Sequence, residues 1–158
     1  MSFIVEIPIE VITIDEDGYH LFLQGHINEV PVRFLLDTGA SKTVIGLHFA
    51  AANLDANSFE DNPKGATGIS TNDLSSKTAI LESIFIGQYK TAQLKCSILP
   101  LEHVNATYLE LGIPSIDAII GMDILMKATA RILLDSKQLQ LHMNTLPQPN
   151  YYNGPISQ

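Results

Sequence analysis

The chain has 158 residues, 46% of them hydrophobic and 16% charged, with a formal net charge of −8 at pH 7. A chain of this length can bury a core without disulfide or metal staples, and this balance excludes wholesale disorder. With 9 Lys and Arg against 17 Asp and Glu, and no basic run, it has no face for phosphates, so nucleic acid is not an expected partner.

In chain order the sequence reads mostly as strand. Residues 3–14 are rich in Ile and Val with some alternation, and Asp15-Glu16-Asp17-Gly18 then turns the chain. Tyr19 to Ile27 forms a second strand, Asn28-Glu29 a hairpin turn, and Pro31 to Leu36 the returning strand. Thr43-Val44-Ile45 continues extended. Leu47, Ala50, Ala51 and Leu54 then recur at helical spacing and predict a short helix. A polar loop over 55–64 leads to Gly65-Ala66-Thr67-Gly68, which reads as a hairpin tip. Strands are predicted over 77–86, 89–99 and 116–120, with 103–115 as a looser connection. Asp123 to Ala128 suits a second short helix, and Ala130 to Leu134 and Leu139 to Met143 form a closing hairpin. The expected organisation is one domain over 1–144, with 1–17 as an N-terminal strand extension and 145–158 as a flexible, proline-bearing tail.

Several function classes find no support. The one cysteine, Cys96, allows no disulfide within the chain and no multi-cysteine metal cluster, and Leu94-Lys95-Cys96-Ser97-Ile98 reads as a strand with a packed thiol. His20, His26, His48, His103 and His142 are scattered without metal-ligand spacing and read as structural or surface residues, so neither metal nor cofactor is expected. No serine sits in a nucleophile elbow. The apolar stretches are far short of a membrane span, and the start Met1-Ser2-Phe3-Ile4-Val5-Glu6 has no signal-like n- or h-region, so no membrane and a cytoplasmic location are the expectations.

The chemistry-bearing feature is Asp37-Thr38-Gly39-Ala40-Ser41, directly after the apolar run Val32-Arg33-Phe34-Leu35-Leu36. An Asp-Thr-Gly followed by Ala or Ser arises by chance in about one chain in a few hundred of this length. A strand that ends on a carboxylate holds it where neighbours can tune its proton affinity. A second segment, Ala118-Ile119-Ile120-Gly121-Met122-Asp123, has a similar form: an apolar strand broken at a glycine before a helix. Two carboxylates within reach of each other share a proton and divide acid and base roles, and this chain offers one such Asp. A second copy of the chain across a two-fold axis is the economical source of the other.

These residues resemble the retropepsin-like, retroviral-type aspartic proteases. Tyr19 to Ile45 resembles the family's hairpin into the catalytic loop, Gly65 to Gly68 its flap, and Ile119-Ile120-Gly121 with Asp123-Ile124-Leu125 its second glycine strand and helix. The resemblance spans 19–143 and implies an all-β, acid-protease closed β fold with two short helices. It further implies an aspartic endopeptidase acting on extended peptide or protein substrates as a homodimer.

On this resemblance Asp37 is the catalytic carboxylate, one from each subunit. Thr38 bonds across the dimer axis, Gly39 lets substrate approach, and Ala40 and Ser41 complete the loop. Gly65, Ala66, Thr67 and Gly68 belong to the flap; Ile119, Ile120 and Gly121 support the loop from beneath.

The chain departs from the family in lacking an acidic residue at Ser41 and an Arg at Met122, the pair that commonly stabilises the dimer. Residues 3–14 and 145–158 are the candidates for holding the dimer instead. A catalytically silent peptide-binding or assembly module with the same fold stands as the alternative function.

Overall fold

The computed structural model describes residues 2–61 and 77–144. Among these residues thirteen strands fall into two sheets. The smaller has the order β1-β13-β12, from β1 (Phe3–Pro8), β12 (Arg131–Leu133) and β13 (Gln138–Met143). The larger is ten-stranded and runs from β6 (Phe59–Asp61) through β7 (Lys77–Leu81), β10 (Leu94–Leu99), β5 (Val44–Gly46) and β11 (Ala118–Ile120). It continues through β4 (Val30–Leu36), β3 (Tyr19–Ile27), β8 (Phe85–Ile86) and β9 (Tyr89–Lys90), with β2 (Glu10–Thr13) paired to β3. Among the described residues three α-helices accompany them: α1 (Leu47–Asn53), α2 (Glu102–Glu110) and α3 (Met122–Lys127).

The closed all-β fold with two helices is therefore corrected to a mixed α/β fold with an open sheet. Among the described residues the path of the larger sheet ends at β6 and β9 without returning on itself. The additional helix, α2, replaces most of the loose connection expected over 103–115. Its apolar residues do not fall at clean helical spacing, and Tyr108 is its one fully buried side chain. The signal that was available lies just beyond its end. Gly112 takes φ +71, its N–H donates to the Leu109 carbonyl at 3.1 Å, and the Ile113 N–H donates to the Tyr108 carbonyl at 2.8 Å. This is a helix stop of the Schellman type, closed by apolar contact between Ile113 and Tyr108 in one cluster.

The expected first strand over 3–14 divides at Ile9. Pro8 has no N–H to extend the ladder, and the Ile9 N–H donates instead to the Lys137 carbonyl at 3.0 Å. β1 then pairs antiparallel with β13 of the same chain, and β2 with β3 in the other sheet. The Asn28-Glu29 turn forms as expected: both residues have positive φ (49° and 66°), and Ile27 pairs with Val30. A two-residue turn of that hand matches the twist of its flanking strands.

The main core joins both sheets through Val5, Ile7, Phe34, Ile45, Ile98, Leu139 and Leu141. A second cluster (Phe22, Leu101, Tyr108, Ile113 and Ile116) seats α2 against Leu35 and Ile119.

Cys96 is fully buried on β10, and burial, with the Asp123 charge adding to it, pushes its thiol up to about 12. Native protein at pH 8 is expected to resist a thiol-specific disulfide reagent that labels the urea-unfolded chain completely.

Candidate active site

The site is assembled where two chain segments 80 or so residues apart are stitched together. β11 lies parallel to β4 with Ala118 opposite Phe34 and Ile120 opposite Leu36. One step further the Asp37 N–H donates to the Ile120 carbonyl at 3.0 Å, so the ladder carries Asp37 to the strand tip. The loop then folds back: the Ala40 N–H donates to the Asp37 carbonyl at 3.2 Å, and the Met122 N–H to the Ala40 carbonyl at 2.8 Å.

Below the loop, Thr43 and Asp123 lock the two segments. The Thr43 hydroxyl donates to Asp123 Oδ1 at 2.7 Å, and the Thr43 N–H reaches the same oxygen at 2.9 Å. Asp123 Oδ1 also accepts from the Ile124 N–H at 2.9 Å, at the start of α3, where a negative charge suits the helix dipole. The Gly121 N–H donates to Thr43 Oγ1 at 3.1 Å. Thr43 is fully buried, and sequence reasoning missed it. Its partner is distant in the chain, and a Thr beginning an apolar strand looks like any other.

Gly121 is where the segments come closest. A Cβ there would stand 2.5 Å from the Lys42 carbonyl carbon and 2.9 Å from the Ala40 carbonyl oxygen, all of it backbone. Gly121→Ala is expected to cost about 3 kcal/mol, because the loop must move to admit a methyl group. Urea unfolding of the two proteins measures it.

Asp37 as a residue is half-buried. Its Oδ1 accepts from the Gly39 N–H at 2.8 Å, while Oδ2 has no hydrogen-bond partner among the described residues. Thr38 and Gly39 are exposed beside it and Ala40 is half-buried; Ser41 is exposed. Ile119 is half-buried against the α2 cluster and Ile120 is fully buried in the main core. The structure thus brings 37–41 and 119–121 together; Gly65, Ala66, Thr67 and Gly68 lie outside the described residues, as do residues 145–158. Among the described residues no three of His, Cys, Asp and Glu are grouped as a metal site, and no helix is long and apolar enough to cross a membrane.

A family model described as aspartyl protease matches residues 23–124, well over half of the chain. This chain belongs to the retropepsin-like aspartic protease family.

Two solved structures show the same fold. A retropepsin-like aspartic protease from Rickettsia conorii is 20% identical with a TM-score of 0.50, over 90% of this chain and 92% of its own. The retroviral protease-like domain of Ddi1 from Leishmania major is 16% identical with a TM-score of 0.52, over 87% of this chain and 98% of its own. No curated protein sequence matches. Within this protease family the matched segment runs from β3 to the start of α3, and so contains both stitched halves of the site.

The neighbourhood of Asp37 holds further groups that the sequence did not announce. The Arg33 guanidinium lies 4.5 Å from the centre of the Phe22 ring, and its Nη1 donates to Glu10 Oε2 at 3.2 Å. The Arg33 N–H donates to Asp117 Oδ2 and the Asp117 N–H returns to the Arg33 carbonyl, both at 2.9 Å. Tyr108 meets the Phe22 ring edge-on at 5.4 Å between centroids. Burial raises the Tyr108 hydroxyl above its usual range; the Arg33 charge opposes that and the Asp37 charge adds to it.

On the other side of Thr38 is an apolar groove of about 380 Å³ lined by Met122, Leu125, Met126, Thr129, Ala130 and Ile132. Met126, at its rim, is 69% exposed. The groove's polar contribution is two threonines, with no charged residue in its lining.

Proposed function

We propose that this protein is an aspartic endopeptidase that acts as a homodimer, with one active site formed by two Asp37 residues across a two-fold axis. The observation that carries the reading is the Asp37 carboxylate at a strand tip, one oxygen fixed by the Gly39 N–H and the other unclaimed among the described residues. One proton shared between two such groups leaves one carboxylate to take a proton from water while the other gives its proton to the peptide carbonyl. The water oxygen bonds to the carbonyl carbon, and the tetrahedral adduct collapses as the leaving nitrogen is protonated. The substrate is an extended segment of polypeptide, held as an added strand by main-chain hydrogen bonds.

The dimer contact in this reading is the apolar groove beside Thr38. Met122 lies in it, at the position where the family commonly has the Arg of its ion pair, and Ser41 stands where that Arg has its acidic partner. A charged pair replaced on both sides by groups that need no counter-charge strands nothing, and apolar contact can hold such an interface as well or better. The earlier candidate, residues 3–14, is engaged within the chain: β1 on β13 and β2 on β3. Two copies facing each other through this groove would bring the two Thr38-Gly39 loops together.

The test is digestion of an unbiased peptide library by the wild type and by Asp37→Asn. Cleavage by the wild type alone supports the reading. Binding without cleavage by either protein supports the alternative, a silent peptide-binding module.

A further inference from the structure

His20 and Tyr108 meet on the face of the sheet that carries Asp37. On the β3–β4 ladder Phe22 is opposite Leu35 and Leu21 is opposite Leu36, so His20 and Asp37 are the next residues along, on the side shared by Phe22 and Leu35. Tyr108 comes to this place from α2. Its hydroxyl lies 2.8 Å from His20 Nδ1, and the two rings meet edge-on at 5.7 Å between centroids.

The hydrogen bond fixes which ring nitrogen of His20 carries the proton. Tyr108 is 2% exposed, and its hydroxyl has no other acceptor among the described residues. A buried hydroxyl proton needs a partner, so the Tyr108 O–H donates to Nδ1 and the neutral imidazole keeps its hydrogen on Nε2. The buried polar atoms left without partners among the described residues are two of Arg33 and Nε2 of His142; His20 is half-buried, and its Nε2 has no hydrogen-bond partner among the described residues. The imidazole thus presents an N–H donor on the sheet face that carries Asp37, both residues standing one step beyond the last pair of the ladder.

We infer that His20 is a substrate-binding residue, donating from Nε2–H to a main-chain carbonyl of the peptide beside Asp37, and that Tyr108 is the positioning residue that holds it in that tautomer. The inference rests on the proposed peptidase reading of the same site. α2 then has a function beyond packing: it carries the hydroxyl that aims the donor. That the Asp37 charge is felt at the Tyr108 hydroxyl agrees with the closeness of the three groups.

The test uses the full chain, with fluorescein-labelled casein as substrate and melting temperature as a check on folding. His20→Ala is expected to raise KM about three- to tenfold, the range for one lost hydrogen bond, with kcat within about twofold. His20→Gln, which keeps a side-chain N–H donor, is expected to recover much of that loss. Tyr108→Phe keeps the ring contact with Phe22 and is expected to raise KM by a smaller factor. The same ranking is expected for binding of labelled casein to these variants in an Asp37→Asn background, where turnover is not needed. Unchanged KM and binding in His20→Ala, or no recovery in His20→Gln, would overturn the inference. A wild type that never cleaves, yet whose casein binding still follows this ranking, would contradict the peptidase reading while supporting the role of His20.

Discussion

Asp37→Asn is expected to lower peptide cleavage by at least about a thousandfold, leaving the melting temperature and the dimer within a few degrees and a fewfold of wild type. The size of the loss follows from what an amide does to the site. It cannot take up the water's proton as a carboxylate does, and it cannot share a proton with its partner, so acid and base assistance are both lost; one such contribution alone is about 10²- to 10⁴-fold. The fold is expected to survive because the stitching of the two segments does not depend on the carboxylate. That work is done by main-chain bonds from Asp37 to Ile120 and from Met122 to Ala40, and by Thr43 with Asp123. The Gly39 N–H, which now meets Oδ1, can donate to the amide oxygen in its place. Steady-state cleavage with circular dichroism melting measures both halves of the prediction. An Asp37→Asn protein that cleaves at a tenth of the wild-type rate would show that Asp37 is not the catalytic group.

The second large effect is expected at the groove. Met126→Asp places a carboxylate at the rim of an apolar surface that, in this account, meets its own copy. Each dimer then carries the change twice, with like charges facing each other over desolvated methionine and leucine side chains. An uncompensated charge desolvated in a contact costs about 2 kcal/mol or more, so the dimer dissociation constant is expected to rise at least about 30-fold. Because Met126 is exposed in the single chain, its substitution leaves the core intact, and the monomer's melting temperature should hold. Sedimentation velocity over a concentration series reads the shift. Activity lost at low concentration and recovered at high concentration would accompany it. A variant that sediments like the wild type at every concentration would place the interface elsewhere.

The parts of the fold legible in the sequence were those with local signals. The apolar run up to Leu36 gave β4, Tyr19 to Ile27 read as the strand β3 before it, Asn28-Glu29 gave their turn, and the spacing of Leu47, Ala50 and Ala51 gave α1. The glycine before Met122 gave the start of α3. Asp37 was legible because a carboxylate at the end of an apolar strand has few structural explanations. What stayed hidden depends on partners distant in the chain. α2 lacks a continuous apolar stripe because its burial rests on one tyrosine, and the stop at Gly112 is visible only once a helix is supposed. The division of residues 3–14 between two sheets depends on where β13 and β3 lie. The openness of the larger sheet is likewise a property of pairing at its ends, and short strands such as β8 and β9, with two residues each, carry no periodicity to read. Thr43 and His20 have roles set by Asp123 and Tyr108, which stand about 80 and 88 residues away in the chain. A scattered histidine gives no hint of this until a helix delivers its partner.

The central claim is that one site is built from two copies of Asp37, and mixing subunits tests it most directly. Wild type and Asp37→Asn are combined in equal amounts at a concentration where both are dimeric, allowed to exchange, and assayed against the same total of wild-type chain kept alone. If both carboxylates are required, random pairing leaves about a quarter of the dimers active, and activity falls to about half that of the unmixed wild type. Activity that stays equal to that of the unmixed wild type would mean that each chain works with its own Asp37 alone, and would contradict the account.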